Sequence, residues 1–496
     1  MSEGLAKRSR SSDEEKTNSG LDAKDTHEST SPETSLHRGL QSRHITMIAI
    51  GGAIGTGLII GTGKALAQAG PASVFISYTI IGFVVFLVMA ALGEMAAWLP
   101  ISAGFTGYAS RFCDPSLGFA LGWCYWFKYI IVTPNQLTAA ALVIQYWLKP
   151  EDVNPGVFIA VFLVVICLIN YFGIRFFGEF EFWLSSFKVV IIIGLILFTF
   201  ILALGGGPDH DRKGFRYWKE PGAFKPYINE GASGKFLGFW SCMVTATFAY
   251  LGTELVGVTV AEAQNPARRV LFVGMNVPYD ADELAMGHVI NGCILVFVFS
   301  ASNSDLYIAS RTLYGMASDG QAPAIFKRTN KRGVPVYALG FSALFALLAF
   351  MNVSDDSTKV FGYFVNLVTI FGNPRLGPSY VAPLGIKGSY GALVMCIIVA
   401  LTKNYDVFVG GDFGNEKYKT FITAYIGIPL YLISLFGHKF IKKTRGIKPH
   451  EVDFYTGKDI IDREEQEFLA RKAAERELKG PNRGGWFYKV FLSWLF

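Results

Sequence analysis

The chain has 496 residues, 51% of them hydrophobic and 15% aromatic, and a mean hydropathy of +0.35. Its formal charge of +6 is spread over loops and tails, without the interleaved basic and aromatic stripe that nucleic acid binding needs. That excludes nucleic acid as an expected partner, and six cysteines with no C-x-x-C pair and no histidine cluster support neither a metal site nor a disulfide framework.

Residues 1–44 are rich in Ser, Glu, Asp, Lys and Thr, with no early apolar core and no small-residue cleavage site. They read as a disordered cytosolic N-terminal tail. Apolar blocks of bilayer-spanning size then follow at about 45–67, 72–99, 117–147, 156–173, 184–205, 236–261, 289–314, 335–353, 389–409 and 421–441. The expectation is an all-α polytopic membrane protein, with a transmembrane domain over 45–441 and a cytosolic C-terminal tail over 442–496. Two further apolar pieces, at 271–278 and 360–372, are too short to cross about 30 Å at ~1.5 Å per residue.

Arg38 and Arg43 place the N-terminal tail inside, and Arg111, Arg175, Arg268 and Arg269 then fall on inside loops. The basic loop at 326–333 and the basic run at 438–448 also belong inside. Both require one more crossing than the chain supplies, and the two short pieces sit where those crossings belong. Charge bias thus asks for twelve spans where ten are complete.

The glycine-rich run GGAIGTGLIIGTG at 51–63 falls within the first span. One reading is close helix packing at small-residue spacing. The other is a broken transmembrane helix, whose unpaired N–H and C=O groups are tolerated where they meet a substrate or ion. A phosphate loop fails on spacing. The sixth span holds a matching interruption, TFAYLGTELVG at 247–257, and the interval between the two is that of an inverted five-helix repeat.

The segments GGAIGTGL, PASVFISYTIIGFVVFLVMAALGEMAAWLP, FGEFEFWLSSFKVV and FAYLGTELVGVTVAEAQNP resemble the fungal amino acid permeases of the amino acid, polyamine and organocation superfamily. Within it, KYIIVTPNQLTAAALVIQYW, LGGGPDHDRKGFRYWKEPGAF and VFSASNSDLYIASRTLYG look nearest to the dicarboxylic amino acid permeases, which import glutamate and aspartate with protons. The resemblance implies an inverted five-helix repeat with helices 1 and 6 broken, and a family pattern of twelve helices of which the seventh and tenth are truncated here. It also implies transport driven by the proton gradient with no cofactor, at the plasma membrane, with both termini cytosolic. Alternatives are a non-transporting amino acid sensor of the same fold, or a truncated, non-functional form retained in the endoplasmic reticulum.

By the same resemblance, Ile54, Gly55, Thr56 and Gly57 take the substrate carboxylate, and Phe248, Ala249, Tyr250 and Gly252 supply carbonyls for the ammonium and an aromatic gate. For Phe248 and Tyr250 plain aromatic packing is the other reading. A buried charge costs roughly 2.5 kcal/mol or more on insertion scales, so each asks for a partner or a cavity. Lys128 either pairs a substrate side-chain carboxylate or snorkels to the interface. Asn135 and Gln136 lie further along the same span as hydrogen-bonding candidates, with polar helix packing as the other reading.

Lys188 falls where related transporters that use sodium hold that ion, so it and Glu254 are the expected proton-coupling groups; snorkelling and a structural hydrogen bond are the respective alternatives. Glu94 reads as structural. Ser300 and Ser304 share one helix face and are expected to line the pathway, with Asp305 pairing a neighbouring helix. No hydrolase or nucleotide motif occurs, so an enzyme is not expected. The expected partners are an amino acid, the lipid bilayer and, at Lys7, Lys16 and Lys24 in the tail, the ubiquitination machinery.

Overall fold

The first apolar block is interrupted in the computed structural model of the chain. Gly51 and Gly52 are helical, Gly55 is extended (φ −112°, ψ −174°), and helix α1 runs from Thr56 to Ala69 with no side-chain cap at its start. The structure describes residues 44, 47, 51–52, 55–98, 104–207, 210–253, 284–353, 364–365, 385–409, 415–448, 450–453, 455–456 and four positions between 463 and 474. Ile54, Glu254, the piece at 271–278, most of 360–372 and the tail lysines lie outside them.

After α1 come α2 (Pro71–Trp98), α3 (Gly104–Phe112), α4 (Pro115–Ile144), α5 (Pro155–Tyr171), α6 (Ile174–Ala203) and α7 (Gly231–Ala249). The second half has α8 (Leu284–Ser318), α9 (Val336–Ala346), α10 (Gly385–Thr402), α11 (Asn415–Tyr425) and α12 (Gly427–Lys442). Among the described residues there is no strand.

Local chemistry sets several of these ends. The Asp114 carboxylate accepts from the Ser116 N–H (2.8 Å) and Pro115 opens α4; Asn154 and Pro155 do the same for α5, with Gly156 donating at 2.8 Å. A side-chain cap satisfies an orphan N–H, and proline at the first turn has none to satisfy. Gly70, at φ 84°, takes the left-handed turn that lets α1 and α2 follow each other directly.

Helix α4 is enclosed by its neighbours and packs most extensively on α8, where Phe177 of α6 stacks on Tyr307 at 4.0 Å between ring centres. Helix α6 is the opposite case: Trp183, Phe187, Val190, Ile193, Leu197 and Phe200 are exposed along it. An apolar helix that leaves such a face open is suited to lipid.

The expected span boundaries need correction. Among the described residues, five helical stretches are long and apolar enough to cross a membrane by length and composition, at Pro71–Gly93, Pro115–Ile144, Ile174–Ala203, His288–Ser318 and, taking α11 and α12 together, Lys417–Lys442. The pieces at Pro155–Tyr171, Val336–Met351 and Gly388–Thr402 are shorter, so ten complete helical spans are not what the described residues form. The ninth helix tightens into a 3-10 segment over Leu347–Val353, and the last expected span is divided between α11 and α12. Helix α3 occupies a stretch expected to be a loop, and α6 begins at Ile174 rather than at 184.

Residues after α12 fold back onto the α3–α4 junction. Asp114 also accepts from Lys439 Nζ (2.7 Å) and the Thr444 hydroxyl (3.1 Å), and the Ile447 N–H donates to the Cys113 carbonyl (2.7 Å). Arg111 donates to the Asp453 and Thr456 carbonyls (2.9 and 2.8 Å) and pairs with the Asp453 carboxylate at 3.1 Å. Burial would raise the Asp114 carboxyl, but its hydrogen bonds with Lys439, Ser116 and Thr444 outweigh that and hold it below the usual carboxylate range. A carboxyl depressed on folding stabilises above its unfolded value of about 3.9 and loses that effect as pH falls through the folded value. The tail contact is therefore expected to hold across neutral pH and loosen only in acid below about pH 4. Asp114→Ala, which removes about 1 kcal/mol of capping alone, is expected to speed proteolysis within 443–456. Unchanged cleavage would show that the segment is held by other means.

Candidate functional site

The two interruptions meet backbone to backbone. A Cβ at Gly57 would overlap the Phe248 carbonyl, and one at Gly252 the Gly52 carbonyl; Gly252 also sits at φ 97°, where a side chain is strained. Helix α7 ends at Ala249, so the start of α1 and the end of α7 face each other. A helix start presents free N–H groups and a helix end free carbonyls, a pairing suited to a solute carrying both an anion and a cation. Close packing and the broken helix, offered as alternatives by the sequence, occur together.

Beside this crossing lies a cavity of about 460 Å³, counting the space open at its mouth. Gly52, Gly55 and Gly57 form one wall, and Phe248, Ala249, Leu251 and Gly252 another. Helix α4 contributes Lys128, Val132 and Gln136, four residues apart on one face, with Tyr129 beside them. Helix α8 contributes Ala301, Ser304 and Asp305. The Ser304 hydroxyl is buried with no hydrogen-bond partner among the described residues, leaving it available to a solute.

Lys128 does not snorkel. Only 2% of it is exposed, and its Nζ lies 4.6 Å from the centre of the Tyr129 ring and 5.4 Å from that of Tyr125. Rings at that distance favour a cation through their quadrupole, and the position on the cavity wall makes Lys128 a positive group facing the solute space. Lys188 is likewise enclosed, donating to the Gly51 carbonyl at 2.8 Å.

Three expected site residues stand elsewhere. The Tyr250 hydroxyl donates to the Tyr78 carbonyl (3.0 Å) and its ring packs near Tyr78, so of the two expected aromatics Phe248 is the one on the cavity wall. Ser300 donates to the buried Glu181 carboxylate, off the cavity. Asn135 is fully buried, and neither its Oδ1 nor its Nδ2 has a hydrogen-bond partner among the described residues. The side chain of Thr56 lies outside the description, although the residue opens α1. Sequence reasoning missed Gly52, Tyr129, Val132, Leu251, Ala301 and Asp305 as lining residues, and Glu181 altogether. Glu181 sits four residues before Ser185 and seven before Lys188 on one helix, a helical spacing that was the available signal.

Two helix ends abutting inside an apolar bundle, with a cavity bearing a buried cation beside them, make up a multi-pass membrane transporter for a small polar solute. The sequence profile described as amino acid permease matches residues 44–278, 280–372 and 378–448. The chain belongs to the amino acid permease family. It is 48% identical to the dicarboxylic amino acid permease of Saccharomyces cerevisiae over 533 aligned positions, taking in 93% of this chain and 87% of that one. It is 37% identical to the proline-specific permease of Emericella nidulans, over 87% and 90% of the two chains. A solved nucleobase-cation-symport-1 family transporter, Mhp1, superposes with a TM-score of 0.39 at 13% identity, covering 88% of this chain and 99% of that one. The family match is interrupted after residues 278 and 372, where the two short apolar pieces end.

Proposed function

We propose that this permease imports acidic amino acids, glutamate and aspartate, together with protons across the plasma membrane, with both termini in the cytosol. The observation that carries the reading is Lys128, a buried ammonium on the wall of a cavity whose other walls are two facing helix ends. The start of α1 binds the α-carboxylate, the end of α7 receives the ammonium, and Lys128 takes the side-chain carboxylate that a neutral amino acid lacks. The 48% identity to a dicarboxylic amino acid permease supports the same substrate class. The N-terminal tail, with Lys7, Lys16 and Lys24, is the segment proposed for ubiquitination.

The test is uptake of labelled glutamate at acid pH in cells without their own acidic amino acid permeases, with surface protein quantified and a protonophore arm. Uptake that the protonophore abolishes and that aspartate, but not proline, competes away is the expected result. Surface-located protein with no glutamate uptake, or with equal competition by proline, would overturn the substrate assignment.

A further inference from the structure

One buried cluster stands beside the cavity rather than in it. Glu181, with no exposed surface, accepts from the Ser185 hydroxyl (3.3 Å) and the Ser300 hydroxyl at Oε1, and from Asn303 Nδ2 (3.4 Å) at Oε2. Lys188 Nζ is 3.9 Å from Oε1 and donates to the Gly51 carbonyl, one residue before Gly52 on the cavity wall. Asn170 of α5 donates to Asn303 Oδ1 at 3.0 Å, which turns the Asn303 amide so that its NH2 faces Glu181. The cluster thus joins α5, α6 and α8 to the broken first helix.

We propose that Glu181 carries the symported proton: a carboxylate when the cavity is empty, and a carboxylic acid while an acidic amino acid is inside. This rests on the proton-coupled, acidic-substrate reading above and adds to it the group that holds the proton. The step is protonation alone; a proton arrives from the outer aqueous side, resides on one carboxyl oxygen, and leaves to the cytosol.

Three features of the cluster fit that step. All its neighbours donate, which suits the anion, yet both serine hydroxyls can rotate and accept, so the same shell also serves the acid. Lys188 is the cation facing Glu181 from its own helix, and Asp305 of α8 is the further charge acting on Lys188. Among the described residues no other titratable side chain is paired with Glu181; the neighbouring Glu179 is paired separately with His44 at 3.0 Å. Adding a proton leaves one positive charge in excess on the cluster, and an acidic amino acid brings one negative charge to the adjoining cavity. Loading both together leaves the buried net charge unchanged, whereas loading either alone buries an uncompensated charge. The Gly51 carbonyl, held by Lys188, is the link through which the charge state of the cluster bears on the broken helix.

The experiment uses the full-length permease in cells and reads proton entry per glutamate taken up, alongside glutamate exchange. In Glu181→Gln, substrate-driven proton entry is expected to fall at least tenfold, with slower exchange persisting. Ser300→Ala removes one donor to the anion and is expected to move the pH midpoint of uptake upward by about one unit, a shift that a merely structural role would not produce. If Glu181→Gln does not reach the surface, Glu181→Asp replaces it; the shorter carboxyl is expected to keep proton entry with a displaced midpoint. Wild-type proton entry per glutamate in Glu181→Gln, or an unmoved midpoint in both Ser300→Ala and Glu181→Asp, would overturn the proposal. Wild-type uptake indifferent to a protonophore is a different result, and overturns the proton-coupled reading itself.

Discussion

Lys128→Met is expected to weaken glutamate uptake by about two to three orders of magnitude in apparent affinity while leaving uptake of neutral amino acids within a few-fold. Removing one partner of a buried, hydrogen-bonded ion pair costs about 3–5 kcal/mol, and each 1.4 kcal/mol is a factor of ten. Methionine keeps most of the volume and the apolar stem of lysine, so packing against Tyr125 and Tyr129 changes little. The informative quantity is the ratio of glutamate to neutral amino acid uptake, normalised to surface protein. A ratio unchanged from wild type would remove Lys128 from substrate selection and leave the selectivity to the helix ends.

Gly57→Ala is expected to abolish transport or lower it at least tenfold. The added methyl would fall on the Phe248 carbonyl, a backbone atom that cannot swing aside as a flexible side chain can, so the two helix ends must separate. Overpacking of this kind typically costs about 1–3 kcal/mol, and here the displacement falls at the substrate's place. Gly63→Ala supplies the control within the same glycine run: a Cβ there meets nothing within 4 Å and is expected to leave uptake and surface level unchanged. Equal loss in both variants would mean that helix propensity, rather than the approach of the two backbones, explains the glycines.

Much of the architecture could be read from local patterns. Asp114 followed by Pro115, and Asn154 followed by Pro155, mark the starts of α4 and α5 because capping chemistry is local in sequence. The interruption in the first span was legible because so many glycines in an apolar helix point either to close packing or to a break, and Gly55 is extended within that run. What sequence could not show was contact between distant segments. Nothing in the local run reveals that Gly57 lies against Phe248, or that Tyr250, two residues on, turns to Tyr78 instead. Glu181 escapes the pattern for a related reason: the charges around it lower local hydropathy, so hydropathy begins the span at 184 and excludes this enclosed carboxylate of α6. Hydropathy scores a charge as though it faced solvent or lipid; Glu181 faces neither, because α8 and its own helix supply donors for it, and α5 orients one of them.

The attachment of the tail at Asp114 has a mechanical consequence. Helix α4 carries Lys128 and Gln136 to the cavity at mid-length, and its first turn fastens Lys439 and Thr444. It is therefore a lever with the cavity near its middle and the C-terminal segment tied to one end. A tilt of that lever during transport would drag residues 443–456 with it, so a fluorophore placed beyond Thr456 would register each stroke.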